Sequence, residues 1–157
     1  MKFIIFLIFF LLNSKNNKRF IETKLKRVKK LENFYLEFLE KTKYFYENMK
    51  ILLNILSKIM NQKLDAKTII FAIKMFSYWA RNIFDFKKFS REINIPIDSR
   101  LEKLYKKYSF HSISFEEKKI IKNKEIKKFY SELSKKLDIP LLHLDAILWV
   151  NYEKLIK

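Results

Sequence analysis

Polar side chains that interrupt apolar runs are the first places where chemistry can sit. Lys67 falls in the first turn of residues 66–84, AKTIIFAIKMFSYWARNIF, the most apolar of the internal helical stretches. A lysine there is costly unless it points out of the helix mouth. The positive end of the helix dipole, in a basic surrounding, disfavours its charged form. A neutral amine near pH 7 is what a Schiff-base nucleophile requires; an ordinary surface lysine is the plainer alternative. Asp98 stands between Ile95-Pro96-Ile97 and a helix-forming stretch. It reads as an N-cap, and a carboxylate held that way also suits the stabilisation of a developing cation. Asp145 and Trp149 stand at i and i+4, on one helix face. A carboxylate beside an indole is able to hydrogen-bond a purine edge and pack on its face. A buried tryptophan with an unrelated aspartate is the alternative. His143, in the same run, reads as structural.

The elements that must position these groups are helices. Leu52, Leu53, Ile55, Leu56, Ile59 and Met60 form a broad apolar stripe. Asn61-Gln62-Lys63-Leu64-Asp65 then interrupts it, with Asp65 expected to N-cap the helix over 66–84. That helix is apolar on most sides and is expected to be the central buried one. Residues 49–84 therefore read as helix, short hairpin, helix. Upstream, residues 16–35 read as a helix with Phe20, Ile21, Leu25, Val28 and Leu31 on one face. Lys18, Arg19, Lys24, Lys26, Arg27, Lys29 and Lys30 cover much of the rest, as a phosphate-facing helix or a solvated face. The helical pattern over 34–60 is expected to break near Lys43. Residues 86–97 should be extended, since the residue before Pro96 avoids the α region. Helices are expected over 99–108, from a capping box at Ser114-Phe115-Glu116-Glu117, from a break near Asn123 to Leu137, and over 140–157. The expected architecture is all-α, an orthogonal helical bundle in a single domain over 1–157.

Composition narrows the function. The chain has 157 residues and carries 34 Lys+Arg against 17 Asp+Glu, a net charge of +17. Such an excess attracts polyanions, nucleic acid first and an acidic membrane surface second, although AT-rich codon bias also supplies lysine. No cysteine is present, which excludes disulfide scaffolds, thiolate metal sites and cysteine nucleophiles. The 2 histidines do not build a multi-histidine metal centre. Glycine is absent too, so there is no glycine-rich phosphate loop. The run FIIFLIFFLL over 3–12 is too short to span a bilayer as a helix. It reads either as a signal-peptide start without a small-residue cleavage site or as a core helix.

Four ordered stretches, in three blocks with the last two taken together, carry a resemblance. The helix-hairpin-helix with Lys67, followed by an extended stretch ending in aspartate, resembles the helix-hairpin-helix DNA glycosylase superfamily. More closely, the chain resembles the archaeal 8-oxoguanine DNA glycosylase/lyase family, AGOG. Asn13-Ser14-Lys15-Asn16-Asn17-Lys18-Arg19-Phe20 is similar to its basic N-S-K-x-N-R-R element. The stretch from Ala66-Lys67-Thr68 to Lys74-Met75 is similar to its catalytic helix. Ile95-Pro96-Ile97-Asp98-Ser99-Arg100 and residues 140–149, PLLHLDAILW, are similar to its later motifs.

The resemblance implies a base-excision repair enzyme of the cytoplasm that flips a damaged base out of duplex DNA. Lys67 would attack the sugar, expel 8-oxoguanine and form a Schiff base that permits β-elimination, with Asp98 as the catalytic aspartate. Asp145 and Trp149 would line the base pocket. Lys15, Lys18, Arg19 and Lys63 would meet the DNA backbone. No metal or other cofactor is required. Family members carry further helices upstream of the N-S-K-x-N element, so the chain is expected to be N-terminally truncated. A separate N-terminal segment is then a candidate partner, and 3–12 the tail of a pocket-forming helix. Most helix-hairpin-helix motifs use glycine amides, and here Asn61-Gln62-Lys63 would substitute, with asparagine tolerating the left-handed region. A non-catalytic DNA-binding relic of the same fold and a signal-anchored basic protein at an acidic membrane are the other readings.

Overall fold

Apolar residues at helical spacing on two consecutive segments force those segments to pack face to face. In the computed structural model, which describes residues 2–14, 19–109 and 123–157, this pair is α5 (Met49–Met60) and α6 (Lys67–Ala80). α5 buries Met49, Leu52, Leu53 and Ser57, and α6 buries Ile69, Ile70, Ile73, Lys74, Ser77 and Ala80. Preceding them are α1 (Lys2–Asn13), α2 (Ile21–Lys30), a 3-10 turn at Glu32–Phe34, α3 (Tyr35–Glu40) and α4 (Thr42–Glu47). Following them are α7 (Ser99–Tyr108), α8 (Asn123–Lys136), α9 (Leu141–Val150) and α10 (Tyr152–Ile156). The described residues contain no strand, and the all-α expectation holds. None of these helices is long and apolar enough to cross a membrane.

Turn chemistry replaces the missing glycine. α5 ends on Asn61 in the left-handed region, with φ 50° and ψ 53°. The Gln62 amide donates to the Ser57 carbonyl at 3.0 Å and the Asn61 amide to that of Lys58 at 3.1 Å, a Schellman closure. The Ser57 hydroxyl donates to the Gln62 carbonyl. α8 ends the same way: Asp138 has φ 53°, the Ile139 amide donates to the Ser134 carbonyl, and the Ser134 hydroxyl donates to the Ile139 carbonyl. Asn and Asp are the non-glycine residues that take this conformation most readily.

Two apolar cores result. One gathers Phe34, Phe45, Tyr46, Leu52, Ile70, Ile73, Phe89, Ile93 and Leu142 around α5 and α6. The other gathers Ile95, Leu101, Tyr105, Ile126, Tyr130, Leu141 and Leu144 around α7 and α8. α9 lies along the seam, giving Leu142 to the first and Leu141 and Leu144 to the second. The segment between α6 and α7 crosses the same seam, with Ile93 on one side and Ile95 on the other.

Several expectations are corrected. The basic helix is shorter than residues 16–35, and residues 15–18 lie outside the described residues, as does the Ser114–Glu117 capping box. The break expected near Lys43 falls at Lys41, and a further one at Asn48 separates α4 from α5. α6 stops at Ala80 and is not buried all round, because Phe71, Met75 and Trp79 stand on an exposed face. Residues 86–97 are irregular and contain a turn at 91–93. The last helix breaks at Asn151. Asp65 is not the N-cap of α6; Ala66 occupies that position with no side-chain cap. The Asp65 carboxylate instead accepts from Lys127 Nζ of α8, which holds it below the usual carboxylate range. α1 is helical and packs along α2, yet Phe9, Phe10 and Leu12 are exposed.

Candidate active site

The mouth of α6, the start of α7 and the seam helix α9 converge on one cleft of about 780 Å³, within the range of small-molecule sites. Lys67, Asp98, Asp145 and Trp149, which the sequence singles out separately, all line it. Lys67 is the first residue of α6 and is exposed. Because Ala66 carries no capping oxygen, the positive end of the α6 dipole opens on the cleft uncompensated by a side chain.

Asp98 is the N-cap of α7, as expected. Its Oδ1 accepts from the amides of Arg100 and Leu101 at 3.0 and 3.1 Å. Its Oδ2 accepts from Arg100 Nε and Nη2 at 3.2 and 3.0 Å. The extended Pro96 segment and the first turn of α7 therefore fix this carboxylate at the cleft wall.

Asp145 lies on the inner face of α9, where its Oδ2 meets Lys74 Nζ of α6 at 2.6 Å. Burial pushes the Asp145 carboxyl up, the Lys74 hydrogen bond and charge oppose that, and Asp98 adds to the rise. Trp149, one turn on, is half exposed, with the Arg100 guanidinium 3.2 Å from its ring centroid and Lys74 Nζ 6.0 Å away. Arg27 of α2 also reaches the lining, so Arg27, Lys67, Lys74 and Arg100 outnumber the two carboxylates. The cleft is positive at its entrance and built to receive an anion-bearing ligand with a flat apolar part.

Lys63 in the hairpin and Arg19 before α2 are exposed outside the cleft; Arg19 rests over the Phe20 ring at 4.9 Å. Lys15 and Lys18 lie outside the described residues. His143 is structural: its Nε2 accepts from the Phe89 amide at 3.4 Å, and it packs on Phe86 and Phe89. Residue-level reading missed Lys74, Arg100 and Arg27 as lining groups. Lys74 follows Lys67 by two helical turns, a spacing that puts both on one side of α6, which was the available signal.

The family model for AGOG, N-glycosylase/DNA lyase, matches residues 4–157. The chain belongs to the AGOG family. Among its relatives, the N-glycosylase/DNA lyase of Methanococcus maripaludis is 41% identical over 143 residues, 89% of this chain and 51% of that protein. The one from Nanoarchaeum equitans is 38% identical over 137 residues, 86% of this chain and 54% of that protein. The chain thus spans about half the length of these relatives. It shares its fold with a solved structure described as 8-oxoguanosine-complexed Pa-AGOG, 8-oxoguanine DNA glycosylase from Pyrobaculum aerophilum. That match has a TM-score of 0.71 at 23% identity, covering 97% of this chain and 57% of the other.

Proposed function

We propose that the cleft is the catalytic centre of a bifunctional DNA glycosylase and lyase that removes 8-oxoguanine from duplex DNA. The observation that carries this reading is the convergence of Lys67, Asp98, Asp145 and Trp149 on one cleft. Lys67 Nζ attacks C1′ of the flipped nucleotide and the base leaves with the bond electrons. The displacement product loses an amine proton, and its C1′–O4′ bond opens with O4′ taking up a proton, which gives the Schiff base. This acidifies C2′, and loss of the C2′ proton expels the 3′ phosphate by β-elimination. The Asp98 carboxylate opposes the positive charge that grows on the sugar. Trp149 offers a stacking face, and Asp145, kept as an acceptor by Lys74, takes the N–H groups of a purine edge. The lysine chemistry needs no metal.

Damaged duplex DNA in the cytoplasm is the partner. A separate N-terminal segment is proposed as a second one; the match covers 51% and 54% of the two relatives. Phe71 lines the cleft, and the exposed Met75 and Trp79 beyond it on α6 are the surface that segment would cover.

The test is borohydride trapping on an 8-oxoguanine duplex, with any upstream segment supplied. The wild-type chain forms a covalent adduct, Lys67→Gln forms none while still binding damaged DNA, and Lys74→Gln still traps. Adduct from Lys67→Gln removes the nucleophile assignment. Duplex binding with no adduct from the wild type leaves the non-catalytic DNA-binding reading.

A further inference from the structure

The two groups that the proposed reaction needs from α7 and α9 are already taken by one side chain. The Arg100 guanidinium lies 3.2 Å from the Trp149 ring centroid. The same guanidinium donates through Nε and Nη2 to Asp98 Oδ2 at 3.2 and 3.0 Å. Asp98 Oδ1 is held by backbone amides, so Arg100 takes the oxygen that remains. A guanidinium is flat and delocalised; it stacks on an indole much as a base does, and its fork matches a carboxylate. It imitates, in one group, a stacked purine and a cation over Asp98. Its side chain keeps 34% exposure and hangs from the first turn of α7, so it is able to swing away without disturbing either core.

We infer that Arg100 is a gate and specificity-determining residue: it occupies the Trp149 face and the Asp98 carboxylate until a purine nucleotide displaces it. The inference rests on the base-pocket reading above. A displaced guanidinium needs a new anion, and the phosphate next to a flipped nucleotide arrives with the substrate. A nucleotide that stays stacked in the duplex brings no base to the Trp149 face, and the gate stays shut. A free nucleoside brings a base but no phosphate, and has to displace Arg100 without compensation.

The two ligands must therefore respond to Arg100 in opposite directions, which a merely structural residue would not produce. The experiment follows Trp149 emission in a Trp79→Phe background, which removes the other of the 2 tryptophans. With 8-oxoguanosine, Arg100→Ala binds three- to tenfold more tightly than the parent. With an 8-oxoguanine duplex, in a Lys67→Gln background that prevents turnover, Arg100→Ala binds more weakly. Its log–log salt slope falls by about 0.9, one phosphate contact. Arg100→Lys keeps the charge without the flat face, so it gains nucleoside affinity and keeps the slope. Unchanged or weakened nucleoside binding in both variants overturns the gate while leaving the base pocket intact. Absence of nucleoside binding in parent and variants alike removes the base pocket itself, and the gate with it.

Discussion

Lys74 Nζ and Asp145 Oδ2 stand 2.6 Å apart across 71 positions of sequence, with side-chain exposures of 7% and 10%. The pair joins α6 to α9 at the seam of the two cores and floors the cleft beside Trp149. Burial of two charges is tolerable only when each has its partner, and removing one leaves the other uncompensated.

Lys74→Met is therefore expected to destabilise the fold by about 3–5 kcal/mol, and Asp145→Leu by a similar amount. The double variant should recover most of that loss, since neither charge is then stranded. Urea unfolding of the four proteins measures the coupling. Additive losses would show that the two groups do not act as a pair.

Asp98 separates a structural role from a chemical one. Asparagine keeps an oxygen for the amides of Arg100 and Leu101 but loses the one that accepts from the Arg100 guanidinium. That pair is partly exposed, so Asp98→Asn should cost less than about 1 kcal/mol. Asp98→Ala should cost about 1 kcal/mol through the lost N-cap. Both lose the charge that opposes the growing sugar cation, and both should cut glycosylase rate strongly. Full rate in Asp98→Asn would leave this aspartate a cap and nothing more.

The reach of the sequence follows from the range of each interaction. Asp98 is legible as an N-cap because its partners lie two and three residues on. The hairpin is legible because an apolar stripe stops at Asn61, a residue that accepts a left-handed turn. Asp145 and Trp149 are legible as a pair because helical spacing alone puts them together. Lys74 on Asp145, Lys127 on Asp65 and Arg100 on Trp149 are contacts between segments distant in the chain, and no local pattern encodes them. The Asp65 cap fails for this reason, since a lysine of α8 takes the carboxylate that local reasoning assigns to α6. The exposed face of α6 is likewise hidden, because an all-round apolar helix does not say which side its neighbours cover.

His143 sets an acid limit on stability. Burial, and then the Arg81 and Lys88 charges, push its imidazole below the usual histidine range, and its Nε2 accepts from the Phe89 amide. The unfolded chain takes up this proton more readily than the folded one. The penalty is absent above about pH 6.5, where histidine is neutral in both states. It begins as pH falls through that value and is complete below the folded value. Asp65, lowered by Lys127, loses its contribution only as pH falls below about 3.8, outside this window. Urea midpoints between pH 8 and pH 5.5 should fall in the wild type and fall less in His143→Gln. Equal slopes in the two proteins would remove His143 as the cause.

The basic surface should be read by DNA through its phosphates. Arg27 of α2 lines the cleft beside Lys67, so the exposed Lys26, Lys29 and Lys30 belong to the helix that flanks the site. With a net charge of +17, affinity for undamaged duplex should fall steeply with salt, at a log–log slope of about 0.9 per phosphate contacted. Lys26→Gln, Lys29→Gln and Lys30→Gln should each weaken binding to every duplex by the same factor, damaged or not. Each should lower the slope by about 0.9 where the lysine meets a phosphate. None should alter the preference for 8-oxoguanine, because that preference resides in the cleft and not on α2. Fluorescence anisotropy with matched damaged and undamaged duplexes over a salt series checks both statements. A salt-independent affinity would reduce the lysine excess to solvated surface and remove α2 from the DNA-binding face.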